Sequence, residues 1–292
     1  MRYRMRILSL GTRDELIREM KRLGADPEGI GLMFPKGLTR LIRLTSIPCK
    51  VANLLKQELL SRGGDCAVSH GTLTHSVEST DVLMIATERQ YHELVRKLAM
   101  QKIFGLPELA DQIQKNIRNM NLRQFQLSIG GKLLNLDERT HIMGVLNVTP
   151  DSFSDGGTFM DPDKACLHAL RMRDDGADII DIGGESTRPG AEGITEAEEL
   201  ARILPLIERL SKEPGMMISV DTYKAGVARK AIEAGTHMIN DISGLRFDPD
   251  MAPLIAETGV PVVIMHIKGT PGDMQKDPCY EDVIGEIAAS LE

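Results

Sequence analysis

Hydrophobic and polar positions along the chain follow two rhythms. From about residue 124 onward, short apolar runs alternate with amphipathic stretches. The runs are His141–Leu146, Asp178–Ile182, Met217–Asp221, His237–Asn240 and Pro261–Met265. Between them, helical periodicity predicts helices over Pro162–Asp174, Glu196–Leu210, Lys224–Ala234 and Asp250–Glu257. Short, mostly apolar strands separated by helices pair in parallel and are covered by helices on both faces. Just before the first run, Phe125–Ile129 and Lys132–Leu136 flank Gly130-Gly131, which predicts a hairpin.

The earlier rhythm is less regular and predicts a mixed α/β domain over residues 1–120. Arg4–Leu10, Leu38–Thr45 and Asp81–Ala86 read as strands. A helix is expected from Arg13 to a stop at Gly24, and another from Pro48 through Leu60, closed by Gly63-Gly64. A third amphipathic helix is expected over Glu88–Phe104. This half carries no paired carboxylates, no glycine-rich phosphate loop and no nucleophile motif. His70, His75 and His92 are too scattered in sequence to suggest a metal site.

Polar and glycine-rich residues of the second half gather just after the strands, where (β/α)8 barrels build their sites. No G-x-G-x-x-G follows the first strand, as a doubly wound nucleotide-binding sheet would have. The expected architecture is therefore an N-terminal mixed α/β domain followed, over 124–292, by a (β/α)8 TIM-type barrel of which about five βα units are present. A full barrel takes ~250 residues. Three more strands are thus expected beyond Glu292, and residues 1–292 alone are expected to be inactive and to fold poorly.

Composition narrows the function. Of 292 residues, 42% are hydrophobic and 26% charged, a globular balance. Aromatics are only 3%, with no Trp, and the formal net charge is -7, so no nucleic acid is expected as a partner. The charge is uneven: residues 1–130 carry 20 Lys/Arg against 13 Asp/Glu, and the rest carry 15 against 29. Docking of the basic half against the acidic half suits this asymmetry at least as well as a nucleic acid. No apolar run approaches the ~20 residues of a membrane helix, and Arg2, Arg4 and Arg6 interrupt any signal-like stretch. Cys49, Cys66, Cys166 and Cys279 lie at least 17 residues apart, without metal-ligand spacing. A reduced, cytoplasmic setting is expected.

Candidate chemistry lies at the strand ends. Asn147 opens the long polar loop Asn147-Val-Thr-Pro-Asp-Ser-Phe-Ser-Asp-Gly-Gly157. Its side-chain oxygen suits either a turn cap or a hard-cation ligand, the latter only with substrate phosphates and waters completing the shell. In Asp178-Ile-Ile-Asp-Ile-Gly-Gly-Glu-Ser-Thr-Arg-Pro-Gly190, Gly183-Gly184 lets a ligand approach the backbone. Thr187 offers a hydroxyl there, and Arg188 a planar fork suited to phosphate. Asp181 either faces the barrel mouth or satisfies buried backbone donors. Asp221 and Asn240 end the third and fourth strands, where a carboxylate and an amide together can read the edge of a nitrogen heterocycle. Thr222 and Asp241, just beyond, read as turn or helix caps.

The joint pattern resembles dihydropteroate synthase from about Gln124 to Glu292. The resemblance is carried by Met143-Gly-Val-Leu-Asn-Val-Thr-Pro-Asp-Ser-Phe-Ser-Asp-Gly-Gly157 and Ile179-Ile-Asp-Ile-Gly-Gly-Glu-Ser-Thr-Arg-Pro-Gly-Ala191. It continues through Ser219-Val-Asp-Thr222, Ile239-Asn-Asp-Ile-Ser-Gly244 and Val263-Ile-Met-His-Ile-Lys-Gly269. It implies condensation of (7,8-dihydropterin-6-yl)methyl diphosphate with 4-aminobenzoate, releasing diphosphate, and a homodimer for the full-length form. It further implies that Asn147 contacts a diphosphate-bound Mg2+ and that Arg188 and Thr187 serve the anionic leaving group. By the same resemblance Asp221 and Asn240 line the pterin pocket, with Asp181, Ile242 and Met265 as walls. Phe153, Arg188 and Pro189 frame 4-aminobenzoate, and Asp221 and Arg188 carry the catalysis. The alternatives are a pterin-binding corrinoid methyltransferase and a non-catalytic pterin-binding fragment.

Overall fold

The computed structural model describes residues 5–6, 8–74, 76–122, 124–149, 162–186 and 193–292. The chain divides into two compact units, Met1–Arg123 and Gln124–Glu292.

In the first unit, helices α1 (Arg13–Arg22) and α2 (Pro27–Gly37) precede strand β1 (Thr39–Pro48). Helix α3 (Cys49–Leu60), strand β2 (Asp65–Val68) and the short α4 (Gly71–Thr74) follow. Strand β3 (Ser79–Thr87) and helices α5 (Glu88–Ala99) and α6 (Leu106–Met120) complete the unit. The strands form an antiparallel sheet ordered β1-β3-β2. Alternate residues of β3 (Thr80, Val82, Met84, Ala86) are buried, and the last three pack with Leu55 and Leu59 of α3, Leu94 and Leu98 of α5, and Ile113 of α6.

Several expected elements differ here. No strand forms at 8–10: Leu8 is exposed and has no partner strand to bond to. The helix expected to reach Phe104 stops at Ala99 with Met100 as its C-cap, and Phe104 and Gly105 then turn left-handed (φ 53° and 71°). The chain then restarts as α6, whose Leu106, Ala110, Ile113 and Ile117 form one buried stripe. Helices α2, α4 and α6 and strand β2 lie outside the expected pattern.

The second unit opens with the hairpin β4 (Gln126–Ile129) and β5 (Lys132–Asn135). Five βα units then follow: β6 (Met143–Asn147), α7 (Pro162–Asp174), β7 (Ile179–Gly183), α8 (Glu196–Leu210), β8 (Ile218–Asp221), α9 (Ala225–Glu233), β9 (Met238–Asp241), α10 (Met251–Thr258), β10 (Val262–Ile264) and α11 (Val283–Leu291). The five strands pair in parallel and in chain order, β6 to β10, as consecutive units of a (β/α) barrel do. Every residue of β7 is buried, as both-face coverage requires.

Strand alternation sorts the two faces. Leu146, Ile180, Ile182, Ile218, Val220 and Ile239 face the helices and join Ala169, Ile203, Ile207 and Ala228 in the main core. The opposite face is built in levels. At the strand starts, Ile179, Met217 and Met238 pack with Ile129 of the hairpin, flanked by Leu127, Leu134 and Met143. The hairpin thus floors the N-terminal end of the sheet. Gly130 lets it come close: φ is +55°, and a Cβ there would lie 2.7 Å from the His237 ring. Lys132 also donates to the Gly215 carbonyl at 3.2 Å.

Candidate active site

The opposite end of the same face is polar. Strand register places Asn147, Gly183, Asp221, Asn240 and Val263 side by side as consecutive Cα partners across five strands. One level deeper, Val145, Asp181, Ser219 and Met238 form the next row. Three predicted site residues, Asn147, Asp221 and Asn240, therefore share one row, and Asp181 lies directly beneath it.

Small residues make this arrangement possible. A Cβ at Gly183 would sit 2.8 Å from Asn147 Oδ1 and 3.7 Å from an Asp221 carboxylate oxygen. Gly183 thus leaves the gap between those two side chains. Ser219 is fully buried between β7 and β9 and is short enough for Asn240 to reach over it. The Asn240 Nδ2 donates to Asp181 Oδ2 at 2.9 Å. The glycine pair was expected to admit a ligand, but Gly184 instead admits helix α8. A Cβ there would meet Ile203 at 2.8 Å and Glu199 at 3.0 Å.

Burial governs the charges. It pushes the Asp181 carboxyl up, against the opposing effect of the Ser219 and Asn240 side chains. Asp221 is pushed up to about 7, first by burial and then by Asp181, Glu199, Asp241 and Glu185 around it. A carboxyl held near neutrality at the mouth of a parallel sheet makes Asp221 a candidate functional group.

Beyond the strand ends, Asp241 accepts from the backbone N–H groups of Ser243 (2.7 Å) and Leu245 (3.0 Å), and Thr222 Oγ1 from that of Lys224 (3.2 Å). Both act as caps. Ile242 is buried, whereas Met265 is 37% exposed just past β10, its N–H donating to the Asp241 carbonyl at 3.2 Å. Phe153, Thr187, Arg188 and Pro189 lie outside the described residues.

One cluster went unnoticed in the sequence. Lys224 Nζ donates to Glu185 Oε2 at 2.5 Å and to Glu199 Oε2 at 2.6 Å, while the Tyr223 hydroxyl donates to Glu185 Oε1 at 3.1 Å. All three charged side chains are largely buried, Glu199 to 1% exposure. The Tyr223-Lys224 pair directly after the strand-end Asp221 is the available signal, but its carboxylate partners come from the preceding βα unit, 39 and 25 residues away.

No group of three His, Cys, Asp or Glu side chains that could hold a metal occurs among the described residues. Asn147, exposed at its strand end, offers one neutral oxygen. That donor set fits a hard cation only if a substrate brings most of the oxygens.

A buried acid–amide site at the C-terminal ends of parallel strands, with helices between them, defines a (β/α)-barrel enzyme site. Residues 143–292 match the pterin binding enzyme family, and the chain belongs to it. It is 62% identical over 158 residues to a dihydropteroate synthase of Bacillus subtilis, covering 54% of this chain and 53% of the relative. A probable bifunctional folylpolyglutamate synthase/dihydropteroate synthase of Halobacterium salinarum is 41% identical over 260 residues, covering 89% of this chain and 31% of the relative. That similarity therefore extends into the first unit. Among solved structures, a dihydropteroate synthase of Xanthomonas albilineans with 4-aminobenzoic acid is 46% identical, covering 57% of this chain and 58% of that one, with a TM-score of 0.50. The chain spans about half, or less, of the length of the relatives it matches.

Proposed function

We propose that the chain forms the pterin-binding part of a dihydropteroate synthase, which condenses (7,8-dihydropterin-6-yl)methyl diphosphate with 4-aminobenzoate. The observation that carries this reading is the Asn147–Gly183–Asp221–Asn240 row above a buried Asp181. A pterin edge carries an amino group, ring N–H and a carbonyl. Two carboxyls and one amide match that mixture of donors and acceptors. The Bacillus relative's name and the 4-aminobenzoic acid in the Xanthomonas structure support the activity and the second substrate.

In this reading the C–O bond to diphosphate breaks with its electron pair leaving on oxygen, the exocyclic carbon becomes cationic, and the arylamine nitrogen then bonds to it and sheds a proton. Asp181 and Asn240 orient the heterocycle. Asp221 in its ionised form lowers the energy of the developing cation. Arg188 and Thr187 hold the departing anion, and Phe153, Pro189 and Arg188 frame the arylamine. Ile242 and Met265 serve as apolar walls. Mg2+, when bound, neutralises diphosphate charge, and Asn147 is the residue that would hold it.

The test is release of diphosphate coupled to dihydropteroate formation from the two purified substrates. Methyl transfer from methyltetrahydrofolate to a corrinoid, with no dihydropteroate formed, would overturn the reading in favour of the methyltransferase alternative. Pterin binding without turnover would favour the non-catalytic one.

A further inference from the structure

The Lys224 cluster connects two points 14 residues apart in sequence, Glu185 and Glu199. Glu185 stands two residues beyond the end of β7, and Glu199 lies in the first turns of α8. In sequence, the stretch bearing Thr187, Arg188 and Pro189 runs between them. One ammonium, fixed at the start of α9, bonds to both carboxylates at 2.5 and 2.6 Å.

We propose that Lys224 is a positioning residue whose ammonium clasps Glu185 to Glu199, so that both ends of the intervening segment are held against the turn following Asp221. The role of the clasp in the site rests on the synthase reading; the clasp itself does not.

Four observations support it. The three side chains are largely buried, so the ions meet each other rather than water. Burial disfavours the Lys224 ammonium, yet its two carboxylates more than offset this and its pKa lies above the lysine value. A second bond ties the same two elements: Arg202 of α8 donates to the Gly184 carbonyl at 2.8 Å. Finally, Tyr223 bonds to the other Glu185 oxygen and packs edge-on against Phe247, 5.6 Å between ring centres. Glu185 is thereby fixed from two directions. An ordinary surface ion pair would have none of these supports.

A purely charge-balancing lysine would leave a different signature, and two variants separate the possibilities. Lys224→Met removes the clasp and leaves two buried carboxylates facing each other. Lys224→Met combined with Glu185→Gln and Glu199→Gln removes clasp and charge together, and keeps the test open if the single variant does not fold. Hydrogen exchange is read on the segment between Glu185 and Glu199 in the full chain. Exchange there is expected to be ~10-fold faster or more in the triple variant, with β8 and β9 unchanged. In turnover assays, KM for 4-aminobenzoate is expected to rise ~10-fold, while the affinity of a pterin alone stays within about twofold.

Wild-type exchange in the triple variant overturns the clasp, and Lys224 then only balances charge. Faster exchange with wild-type KM and kcat overturns its positioning role. If the unmodified protein neither binds a pterin nor turns over, the synthase reading fails, while exchange still decides the clasp.

Discussion

Asn240 donates to Asp181 across an intervening strand, Nδ2 to Oδ2 at 2.9 Å, with only Ser219 between them. This bond joins the two rows of the site and fixes which edge of Asn240 remains for a ligand. Removing it leaves a buried carboxyl without its amide donor. Asn240→Leu is therefore expected to cost ~1–3 kcal/mol of stability and ~10-fold or more in pterin affinity. Calorimetric titration with a pterin and denaturant unfolding check the two effects separately.

Asp221 should reveal itself through pH. Its carboxyl sits at about 7 in the fold, far above its ordinary value of 3.8. The native state therefore keeps a proton that the unfolded chain releases, and this contribution to stability is lost as pH rises from about 4 through 7. Asp221→Asn is expected to melt several degrees higher than wild type at pH 8 and to converge with it near pH 4. The same variant is expected to lose ~100-fold in kcat with a smaller change in KM. A change in KM alone would make Asp221 a binding residue only.

Gly183→Ala places a methyl where Asn147 Oδ1 allows only 2.8 Å. The Asn147 side chain must swing aside, because the glycine lies in a fully buried strand that cannot yield. The expected stability cost is ~1–3 kcal/mol, accompanied by a higher Mg2+ requirement for turnover. Thermal unfolding and a Mg2+ titration of diphosphate release distinguish the two.

Metal removal tests the same residue from the other side. Excess chelator is expected to abolish diphosphate release, and Asn147→Ala to shift half-activation to higher Mg2+. Unchanged turnover in chelator would remove Mg2+ from the scheme.

At the other end of the sheet, acid should act through Asp178. Arg139 holds its carboxyl at about 2, assisted by the Ile142 N–H. This depressed value contributes stability above about pH 4 that is lost as pH falls toward 2. Arg139→Ala is expected to lower stability at pH 7 and to converge with wild type as pH falls toward 2, which denaturant unfolding across that range checks.

The second unit was the more legible because its signals are local. Apolar runs located all five strands to within two residues at each end, and Asn147, Asp221 and Asn240 could be placed at strand ends by counting. Their alignment in one row depends on register, which no single strand encodes. The first unit was read less well. Residues 8–10 carry strand-like composition but find no neighbouring strand, and α6 lay beyond a left-handed turn at Phe104-Gly105 that its sequence does not announce. The Lys224 clasp was invisible for a third reason: lysine and glutamate read as solvated surface until folding brings two neighbouring βα units together and excludes water.

The floor built by Leu127, Ile129 and Leu134 and the acid–amide row lie at opposite ends of the same strands, four residues apart along β7. At ~3.3 Å per residue the separation is ~13 Å, beyond the range over which side chains ordinarily couple. The hairpin can therefore drift with little effect on the row along β7, whereas along β9 Met238 packs with Ile129 and pairs with Ser219 of the deeper row. Substitutions in the hairpin alter how long the molecule survives, those at the mouth alter what it does, and a loss of robustness from a new specificity can be repaired where no substrate ever touches.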